Sequence, residues 1–535
     1  MKPPPAGKLN PPSIPALVFA VLAVSVPILL QKPMLNSDGD IARHLRHGNY
    51  MLEHSELIRA DPFSFTRPGA AFVGFEYGSQ MLYALAERVG GLPGVAILAG
   101  LVVALTYGLL SRLLLDRGVD AFLVCLTVAL AIALGVDHWT ARPHLFSILA
   151  VVILLGMLEG SSRRPILSTV ALFGIWANLH GGFVYGWILI GLYLAGSLGE
   201  LVWGNDRAAW SYQVRYYGTM LVTAVLATLV NPYGLKLHRH LMAFFGKPFI
   251  RDNTAEFGSP DFHQAGAKVF LAVLLVCLVS LTLHRRPTLP RLFVIGAGVA
   301  FALLAVRNIP LFGLTALPLL ALHSDELWRR LPDPGGVRGR FEMTARRTAT
   351  VLYALPIGLL MVGLALRGGR LGSLQLIRKE FDGTVFPVTA VAKARKEHLQ
   401  GHLFTEFTWG GYLVYAWPEQ KIFIDGGTDF FGEDLFREHA MIVQLRPGWR
   451  DRLVDHDISL LLLRRTSPLS HEIARDGGWR LWHCDSLAVM FRRAEAASAR
   501  TRRQADAAED ELNACAPRGS AAFRHPTIDG VHSSL

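Results

Sequence analysis

Two aspartates separated by one residue, Asp38 and Asp40, follow an apolar run, and Asp40 precedes His44 by four positions. A carboxylate can remove the proton of an attacking hydroxyl or orient that hydroxyl. If residues 40–52 form a helix, Asp40 and His44 share one face, because side chains four positions apart lie above one another. The pair is therefore a candidate catalytic site, with Asp40 favoured over Asp38. Asp40 could instead cap the helix, a position that aspartate favours.

Further polar side chains collect in short segments that join apolar runs, namely "VDHWTARPH" (136–144), "WANLHGG" (176–182), "NPYG" (231–234) and "VRNIP" (306–310). Ionisable groups at membrane depth are costly and often mark a substrate path. The planar fork of arginine can bind two phosphate oxygens at once, although the arginines could also reach towards lipid headgroups. The candidate binding residues in these segments are Arg142, His144, Asn178, His180, Arg307 and Asn308.

The composition identifies the elements that must position these residues. Of the 535 residues, 51% are hydrophobic and only 18% are charged, whereas soluble domains carry about 25% charged residues. The long apolar runs predict a polytopic α-helical membrane protein with about eleven spans of roughly 20 residues. They lie near 13–31, 92–113, 119–137, 143–159, 165–179, 183–203, 217–231, 268–284, 290–306, 308–322 and 350–367.

The distribution of arginine predicts the orientation. Alternate loops are rich in arginine, as expected on the cytoplasmic side, so residues 1–12 are expected in the cytoplasm. The same rule explains the net charge of +11 without nucleic acid as a partner. An odd number of spans then places residues 375–495 outside the cytoplasm.

Within the predicted membrane domain, 13–370, the first outer loop (32–91) has amphipathic stretches at 40–52 and 76–89. Both patterns are typical of helices that lie at the membrane surface.

Residues 375–495 have the pattern of a small α/β domain. The stretches "HLFTEF", "GGYLVYAW", "KIFIDGG", "ISLLLLRR" and "LAVMFRR" favour strands, and "EDLFREHAMIVQL" and "SPLSHEIARDG" favour helices. The glycine-rich "DGGTDFFG" could bind a sugar or a glycan, with Asp425 and Asp429 as hydrogen-bond acceptors, or Gly426 and Gly427 could simply form a turn between a strand and a loop. The last segment, 496–535, is poor in apolar residues and is expected to be a disordered tail.

Several motifs in chain order resemble those of bacterial membrane glycosyltransferases of the GT-C superfamily, in particular family-39-like members. They are "DIARHL" (40–45), "DPFSFT" (61–66), "EYGSQ" (76–80), "ARPHLFS" (141–147), "WANLHGGF" (176–183), "NPYG" and "RNIPLF" (307–312). The stretch "WGGYLVYAWPEQKIFIDGGTDFFG" resembles the soluble C-terminal domain of some of these proteins.

The resemblance implies an inverting enzyme of the bacterial inner membrane. Its donor is a sugar on polyprenyl phosphate, and its acceptor is a glycan, lipid or protein hydroxyl on the extracytoplasmic face. Asp40 matches the catalytic base of the family, and Asp61 matches a second acidic position with a positioning role. Arg142 and Arg307 would contact the lipid phosphate, helped by His144 and His180. The remaining candidate substrate contacts are Asp38, His44, Glu76, Asn178 and Asn308.

Two questions stay open at this point. The aromatic-rich motif that many members carry after the first acidic residue is replaced here by Ile41, Ala42 and Arg43, so acceptor recognition could differ. Asp40 and His44 could supply two metal ligands, but no complete set is visible, and we expect no required metal or other cofactor. The alternatives are a glycolipid transporter or flippase, and a non-catalytic protein of envelope assembly.

Overall fold

A computed structural model describes residues 13–37, 39–160, 164–283, 286–346 and 354–494. Asp38 and the segment 496–535 lie outside the described residues. The helices are α1 Ile14–Leu29, α2 Gln31–Asn36, α3 Asp40–His54, α4 Tyr77–Asp116, α5 Ala121–Gly135, α6 His144–Glu159, α7 Pro165–Leu179, α8 Phe183–Trp203, α9 Arg207–Ala227, α10 Leu235–Phe245, α11 Pro248–Asn253, α12 Ala265–Leu283, α13 Leu289–Leu304, α14 Ile309–Leu314, α15 Ala316–Arg330, α16 Val337–Arg346, α17 Ala354–Leu366, α18 Val388–Lys396, α19 Phe407–Ala416, α20 Thr428–Val443, α21 Trp449–Asp455 and α22 Pro468–Arg475.

The strands are short and fall late in the chain. They are β1 Arg370–Leu371, β2 Leu374–Gln375, β3 His402–Thr405, β4 Ile458–Arg464, β5 Trp479–Cys484 and β6 Ala488–Arg493. Single turns of 3₁₀ helix lie at Val136–His138, Ala255–Phe257, Val306–Asn308 and Pro334–Gly336.

The chain divides into two compact units. Of the residues that the structure describes, those within 13–34, 86–241 and 256–377 form the helical unit, and those within 35–85, 242–255 and 378–494 form the mixed unit. Most of the first outer loop, residues 35–85, therefore falls in the same unit as the described C-terminal residues. The domain boundaries drawn from the sequence, with 32–91 inside the membrane domain, stay predictions.

Apolar helices form the helical unit. Among the described residues, five helical segments are long and apolar enough to cross a membrane: Tyr77–Asp116, Ala121–His138, Phe183–Trp203, Ala265–Leu283 and Val306–Arg330. Shorter apolar helices are α1, α6, α7, α13 and α17. Each sequence-predicted span overlaps a helix, which agrees with a polytopic helical membrane protein. Eleven as the number of crossings stays a prediction.

Local signals in the sequence explain where these helices begin and how closely they pack. The Asp120 carboxylate accepts hydrogen bonds from the backbone N–H groups of Phe122 and Leu123 and so caps α5. Gly100 lies so close to Pro27 that an added Cβ would be 2.7 Å from the Pro27 ring. Small residues at such contacts allow membrane helices to approach closely.

The mixed unit contains a four-stranded sheet in the order β3-β4-β6-β5. β3 and β4 are parallel, whereas β4 and β5 both pair antiparallel with β6. Residues of the first outer loop extend the edge beyond β3, since Ile422 bridges both Leu403 and Ser64. The Phe65 N–H donates to the Ile422 carbonyl at 3.1 Å, and the Ile422 N–H donates to the Phe63 carbonyl at 3.1 Å.

The stretch "GGYLVYAW" forms helix α19, so the strand predicted there is wrong. The run Tyr412, Leu413 and Val414 is buried on all sides, and such a run cannot be distinguished from a buried strand by periodicity. The helix packs against the start of α3, where a Cβ added at Gly411 would lie 2.3 Å from the Gly39 carbonyl oxygen. Gly411 therefore allows α19 to approach α3 closely, and it does not mark the end of a strand.

The helix predicted at 40–52 is confirmed, but it is more buried than an amphipathic surface helix. His44 and His47 are 2% and 3% exposed, so the face that carries them is covered as well as the apolar face. Gly48 on this helix meets the first turns of α4, and a Cβ added there would lie 2.1 Å from the Gln80 carbonyl oxygen.

Gly48→Ala is therefore expected to destabilise the protein. Overpacking costs about 1–3 kcal/mol, which exceeds the gain in helix propensity of about 1 kcal/mol. Thermal unfolding in detergent should show a lower Tm for this variant. Gly218→Ala in α9 is the control, because open space surrounds that position and its Tm should stay or rise. An unchanged Tm for Gly48→Ala would contradict the close contact.

Candidate active site

Asp40 forms an ion pair with a residue of its own helix. It is the first residue of α3, and the Arg43 Nη2 group donates to its Oδ1 at 3.3 Å. The side chain of Asp40 is 22% exposed and that of Arg43 is 11% exposed. Residues three apart on a helix are neighbours, so this pair follows from the local sequence once the helix forms. The Asp40 side chain is therefore only partly buried, although its Oδ1 atom contacts Arg43.

A loop of the C-terminal region, Asp425–Gly427, lies directly against this pair. A Cβ added at Gly426 would be 2.2 Å from Asp40 Oδ1, and one added at Gly427 would be 3.2 Å from Arg43 Nη1. Asp425 is 4% exposed, and its Oδ1 accepts the Gly427 N–H at 2.7 Å. At Gly426 a side chain would have to displace the Asp40 carboxylate, so this glycine admits a close contact in addition to forming a turn.

The charges around this loop are strongly coupled. Burial alone would lower the pKa of the Arg43 guanidinium, but Asp40, Asp425, Glu76 and Asp429 raise it overall. Burial raises the pKa of Asp425 to about 6, with Asp40 and Asp61 acting in the same direction and Arg43 opposing. Arg43 is therefore a permanent cation with several carboxylates around it. We call Asp40, Arg43, His44, Glu76 and Asp425 the acidic cluster.

His44 and Glu76 join the cluster from one side. The His44 Nδ1 atom lies 3.2 Å from Gln80 Nε2 and 3.8 Å from a Glu76 carboxylate oxygen. His47 stacks on Phe63 with ring centroids 4.8 Å apart. Burial lowers the pKa of His47 well below its usual range, and Arg43 adds to the effect, so His47 stays neutral.

Asp61 organises the loop in which it lies. Its Oδ1 accepts the Phe63 N–H at 3.0 Å, and its Oδ2 accepts the Ser64 N–H at 3.0 Å and the Ser64 hydroxyl. The residue is 8% exposed. These bonds hold the segment that pairs with Ile422. The positioning role in catalysis that the resemblance implies for Asp61 stays a prediction.

A second group of site candidates lies within the helical unit. The Arg142 Nη1 atom lies 3.6 Å from Glu256 Oε1, and the Arg307 guanidinium stacks over the Phe257 ring at 4.5 Å. Burial alone would raise the pKa of Glu256, but Arg142 and Arg307 lower it overall. Glu256 is thus an ionised partner of the predicted phosphate ligands. We call Arg142, Arg307 and Glu256 the arginine cluster.

The other candidates in the helical unit have backbone or hydroxyl partners. The His144 Nε2–H donates to the His138 carbonyl at 2.8 Å. The His180 Nδ1 atom accepts the Gly182 N–H at 3.0 Å and lies 2.8 Å from the Ser147 hydroxyl. Asn178 donates to the Val230 carbonyl at 2.8 Å, and Asn308 donates to the Phe301 carbonyl at 3.0 Å. These bonds fix the ends of helices.

Two residues of these clusters, Arg43 and Glu256, were missed from the sequence. Arg43 was noted only as a departure from a motif, and Glu256 carried no signal of spacing or pattern. Asp425 was predicted as a possible acceptor of hydrogen bonds from a sugar, not as a neighbour of Asp40. Within the part of the chain that the structure describes, no group of three or more His, Cys, Asp or Glu residues is arranged to hold a metal ion. Metal independence stays a prediction.

Asp61→Ala is expected to lower the Tm, because the buried Ser64 N–H, the partly buried Phe63 N–H and the Ser64 hydroxyl would lose their acceptor at a cost of about 1–3 kcal/mol. Thermal unfolding in detergent measures the effect. Glu56→Ala is the control, because Glu56 is exposed in the same loop and exposed substitutions change stability by about 0.5 kcal/mol or less. A normal Tm for Asp61→Ala would show that the residue has no structural role.

The fold matches solved membrane enzymes, although the sequence stands apart. No protein-family model matches the chain, and no curated protein matches it significantly. The oligosaccharyltransferase AglB from Archaeoglobus fulgidus, solved with an inhibitory peptide and a dolichol-phosphate, is 13% identical with a TM-score of 0.53. That alignment covers 90% of this chain and 74% of AglB. ArnT from Cupriavidus metallidurans in the apo state is 15% identical with a TM-score of 0.50, and the alignment covers 91% of this chain and 98% of ArnT.

Identities this low establish the architecture alone. The alignments run over nine-tenths of the chain in both cases, so the likeness is not confined to one apolar segment. The chain therefore shares its fold with the oligosaccharyltransferase AglB and with ArnT.

Proposed function

We propose that this protein is a glycosyltransferase of the bacterial inner membrane. It transfers a sugar from a polyprenyl-phosphate carrier to an acceptor hydroxyl on the extracytoplasmic face, with inversion at the anomeric carbon. The observation that carries the proposal is the partly exposed Asp40 side chain, which lies beside Arg43 and the Asp425–Gly427 loop in a chain with this fold. The dolichol-phosphate bound to AglB supports a lipid phosphate as part of the donor.

In this reaction Asp40 is the general base. Its carboxylate takes the proton of the acceptor hydroxyl as the hydroxyl oxygen attacks the anomeric carbon. The bond between that carbon and the phosphate oxygen breaks, and the polyprenyl phosphate leaves with the electron pair. Attack from the face opposite the leaving group inverts the anomeric centre. Asp61, His44 and Glu76 position the acceptor.

The proposed role of the arginine cluster is to bind the phosphate that leaves with the polyprenyl chain. Arg142 and Arg307 supply fixed positive charge, which stabilises a developing phosphate dianion best when it is oriented beforehand. In the structure Glu256 pairs with Arg142 at 3.6 Å, so an incoming phosphate competes with this carboxylate for the guanidinium. His144, His180, Asn178 and Asn308 are assigned supporting contacts to the donor.

Asp40→Asn is expected to reduce turnover by roughly 10²- to 10⁴-fold, because the amide cannot accept the hydroxyl proton. Release of polyprenyl phosphate from a panel of polyprenyl-phosphate sugars, with membrane extract as the acceptor source, measures this step. The fold should be retained, since Gly39 rather than Asp40 is the N-cap of α3 and three further carboxylates, Asp425, Glu76 and Asp429, still act on Arg43.

Glu53→Gln on the same helix is the matched control, because its carboxylate is 47% exposed and pairs with Arg46. If Asp40→Asn turned over the donor as fast as the wild type, Asp40 would be rejected as the general base. Binding of these lipids without any release by the folded wild type would favour the alternatives, a glycolipid transporter or flippase or an envelope-assembly protein.

Glu256→Gln is expected to strengthen binding of polyprenyl phosphate about fivefold, because it removes a competing charge worth about 1 kcal/mol at a partly exposed pair. Arg142→Gln should weaken binding. Equilibrium binding of labelled polyprenyl phosphate in detergent measures both effects, and Asp252→Asn controls for the loss of one nearby negative charge. Weaker binding by Glu256→Gln would mean that this carboxylate supports the arginine rather than competing with the phosphate.

A further inference from the structure

The loop Asp425–Gly427 contacts the carboxylate of Asp40, the residue proposed as the general base. The space at Gly426 is filled by Asp40, since an added Cβ would lie 2.2 Å from Asp40 Oδ1. A real Cβ never approaches an oxygen that closely, so any side chain at position 426 must displace the Asp40 carboxylate. The loop therefore limits where that carboxylate can lie.

The loop is itself held on both sides. Upstream, Ile422 pairs with Leu403 of β3 and with Ser64, and the Thr66 hydroxyl donates to the Phe423 carbonyl at 2.6 Å. Downstream, Asp425 accepts the Gly427 N–H at 2.7 Å, and α20 begins at Thr428. Ile422, Phe423 and Ile424 are fully buried. These hydrogen bonds and the burial of the preceding residues hold the loop in one position.

Arg43 connects the Asp425–Gly427 loop with the Asp40 carboxylate. Arg43 donates to Asp40 Oδ1 at 3.3 Å, and its Nη1 lies against Gly427. The buried Asp425 carboxylate carries a charge that must be compensated in place, and Arg43 is the cation whose charge acts on it most strongly. A Cβ added at Gly427 would lie 3.0 Å from Asp425 Oδ1 and 3.2 Å from Arg43 Nη1, so the carboxylate and the guanidinium lie against the same glycine, and the guanidinium also donates to Asp40.

We propose that Asp425 and Arg43 are positioning residues for Asp40, so that the C-terminal region supplies part of the active site through its Asp425–Gly427 loop. This inference rests on the proposed function. Asp425 orients Arg43, Arg43 fixes the Asp40 carboxylate, and Gly426 leaves the space that the carboxylate occupies. Misplacement of a reacting group by about 1 Å can cost about 10²-fold in rate, so the loop sets kcat although it carries no reacting atom.

Asp425→Asn and Gly426→Ala are both expected to lower kcat by about tenfold to a hundredfold, with KM for the donor nearly unchanged. Release of polyprenyl phosphate at saturating donor measures this. Asp434→Asn, an exposed carboxylate on α20, and Gly383→Ala, a position in open space, are the matched controls. Wild-type kcat in both loop variants would overturn the inference. Asp425→Glu, which restores the charge, should recover part of the rate.

The pH profile separates positioning from simple loss of structure. The pKa of Asp425 is raised to about 6, so the wild type should lose activity as the pH falls through that value and the hold on Arg43 weakens. Asp425→Asn should be slow at every pH and lack this step. Retention of the step in Asp425→Asn would assign it to another group and reject the role of Asp425.

A measurement without turnover keeps this test apart from that of the proposed function. Infrared-detected titration of the folded protein should show a carboxyl group near pH 6 that is absent from Asp425→Asn. Asp40→Asn should lower its pKa, since a neighbouring negative charge is lost, and Arg43→Gln should raise it. If the pKa of Asp425 shifts in this way but the protein transfers no sugar, the coupling of Asp425 with Arg43 and Asp40 stands and only the proposed function is rejected. A titration that neither variant changes would reject the coupling itself.

Discussion

A buried arginine with its surrounding carboxylates is the interaction on which the mixed unit depends. The side chain of Arg43 is only 11% exposed, and a buried charge is costly unless opposite charges compensate it. The compensation comes from separate parts of the chain, namely Asp40 on its own helix, Glu76 at the start of α4, and Asp425 and Asp429 beside the glycine loop. The first outer segment and the C-terminal region therefore fold as one unit because neither alone supplies all the partners of this cation.

Glycines determine how closely these parts approach. Gly39 and Gly411 bring α3 and α19 into backbone contact, Gly48 does the same for α3 and α4, and Gly426 admits the Asp40 carboxylate. The edge pairing of Ile422 with the first outer segment adds directional hydrogen bonds to these contacts. Segments that pack through backbone atoms have little freedom to shift. Such packing suits a carboxylate that must hold one position.

The helical unit follows a different rule. Its helices satisfy their own backbone groups, as any segment in a bilayer must, and its polar site candidates lie where helices end. Arg142 and Glu256 meet there as an ion pair, while the asparagines and histidines hold helix ends through carbonyl and hydroxyl contacts. A cation that carries its own counter-ion in the absence of a ligand is suited to reversible binding of an anion.

The sequence predicted the helices of the helical unit well, because long apolar runs have one stable form in a membrane. It also placed Asp40 and His44 on one helix, since a spacing of four residues determines the face. It failed at "GGYLVYAW", where a short buried run is compatible with either a strand or a helix and the packing of Gly411 on Gly39 decides. It also could not predict the burial of His44 and His47, because a pattern within one segment does not reveal what covers the polar face.

By itself the sequence determined the membrane-protein class, the helical spacing of Asp40, Arg43 and His44, and the presence of a glycine pair after Asp425. Those properties depend on residues that are close in the chain and on the free energy of transfer between water and hydrocarbon. The tertiary structure decided that Asp425 and Gly426 meet Asp40, nearly 400 positions away, and that Glu256 pairs with Arg142. Such contacts depend on the packing of distant segments against one another, and no local pattern encodes the charge compensation that selects them.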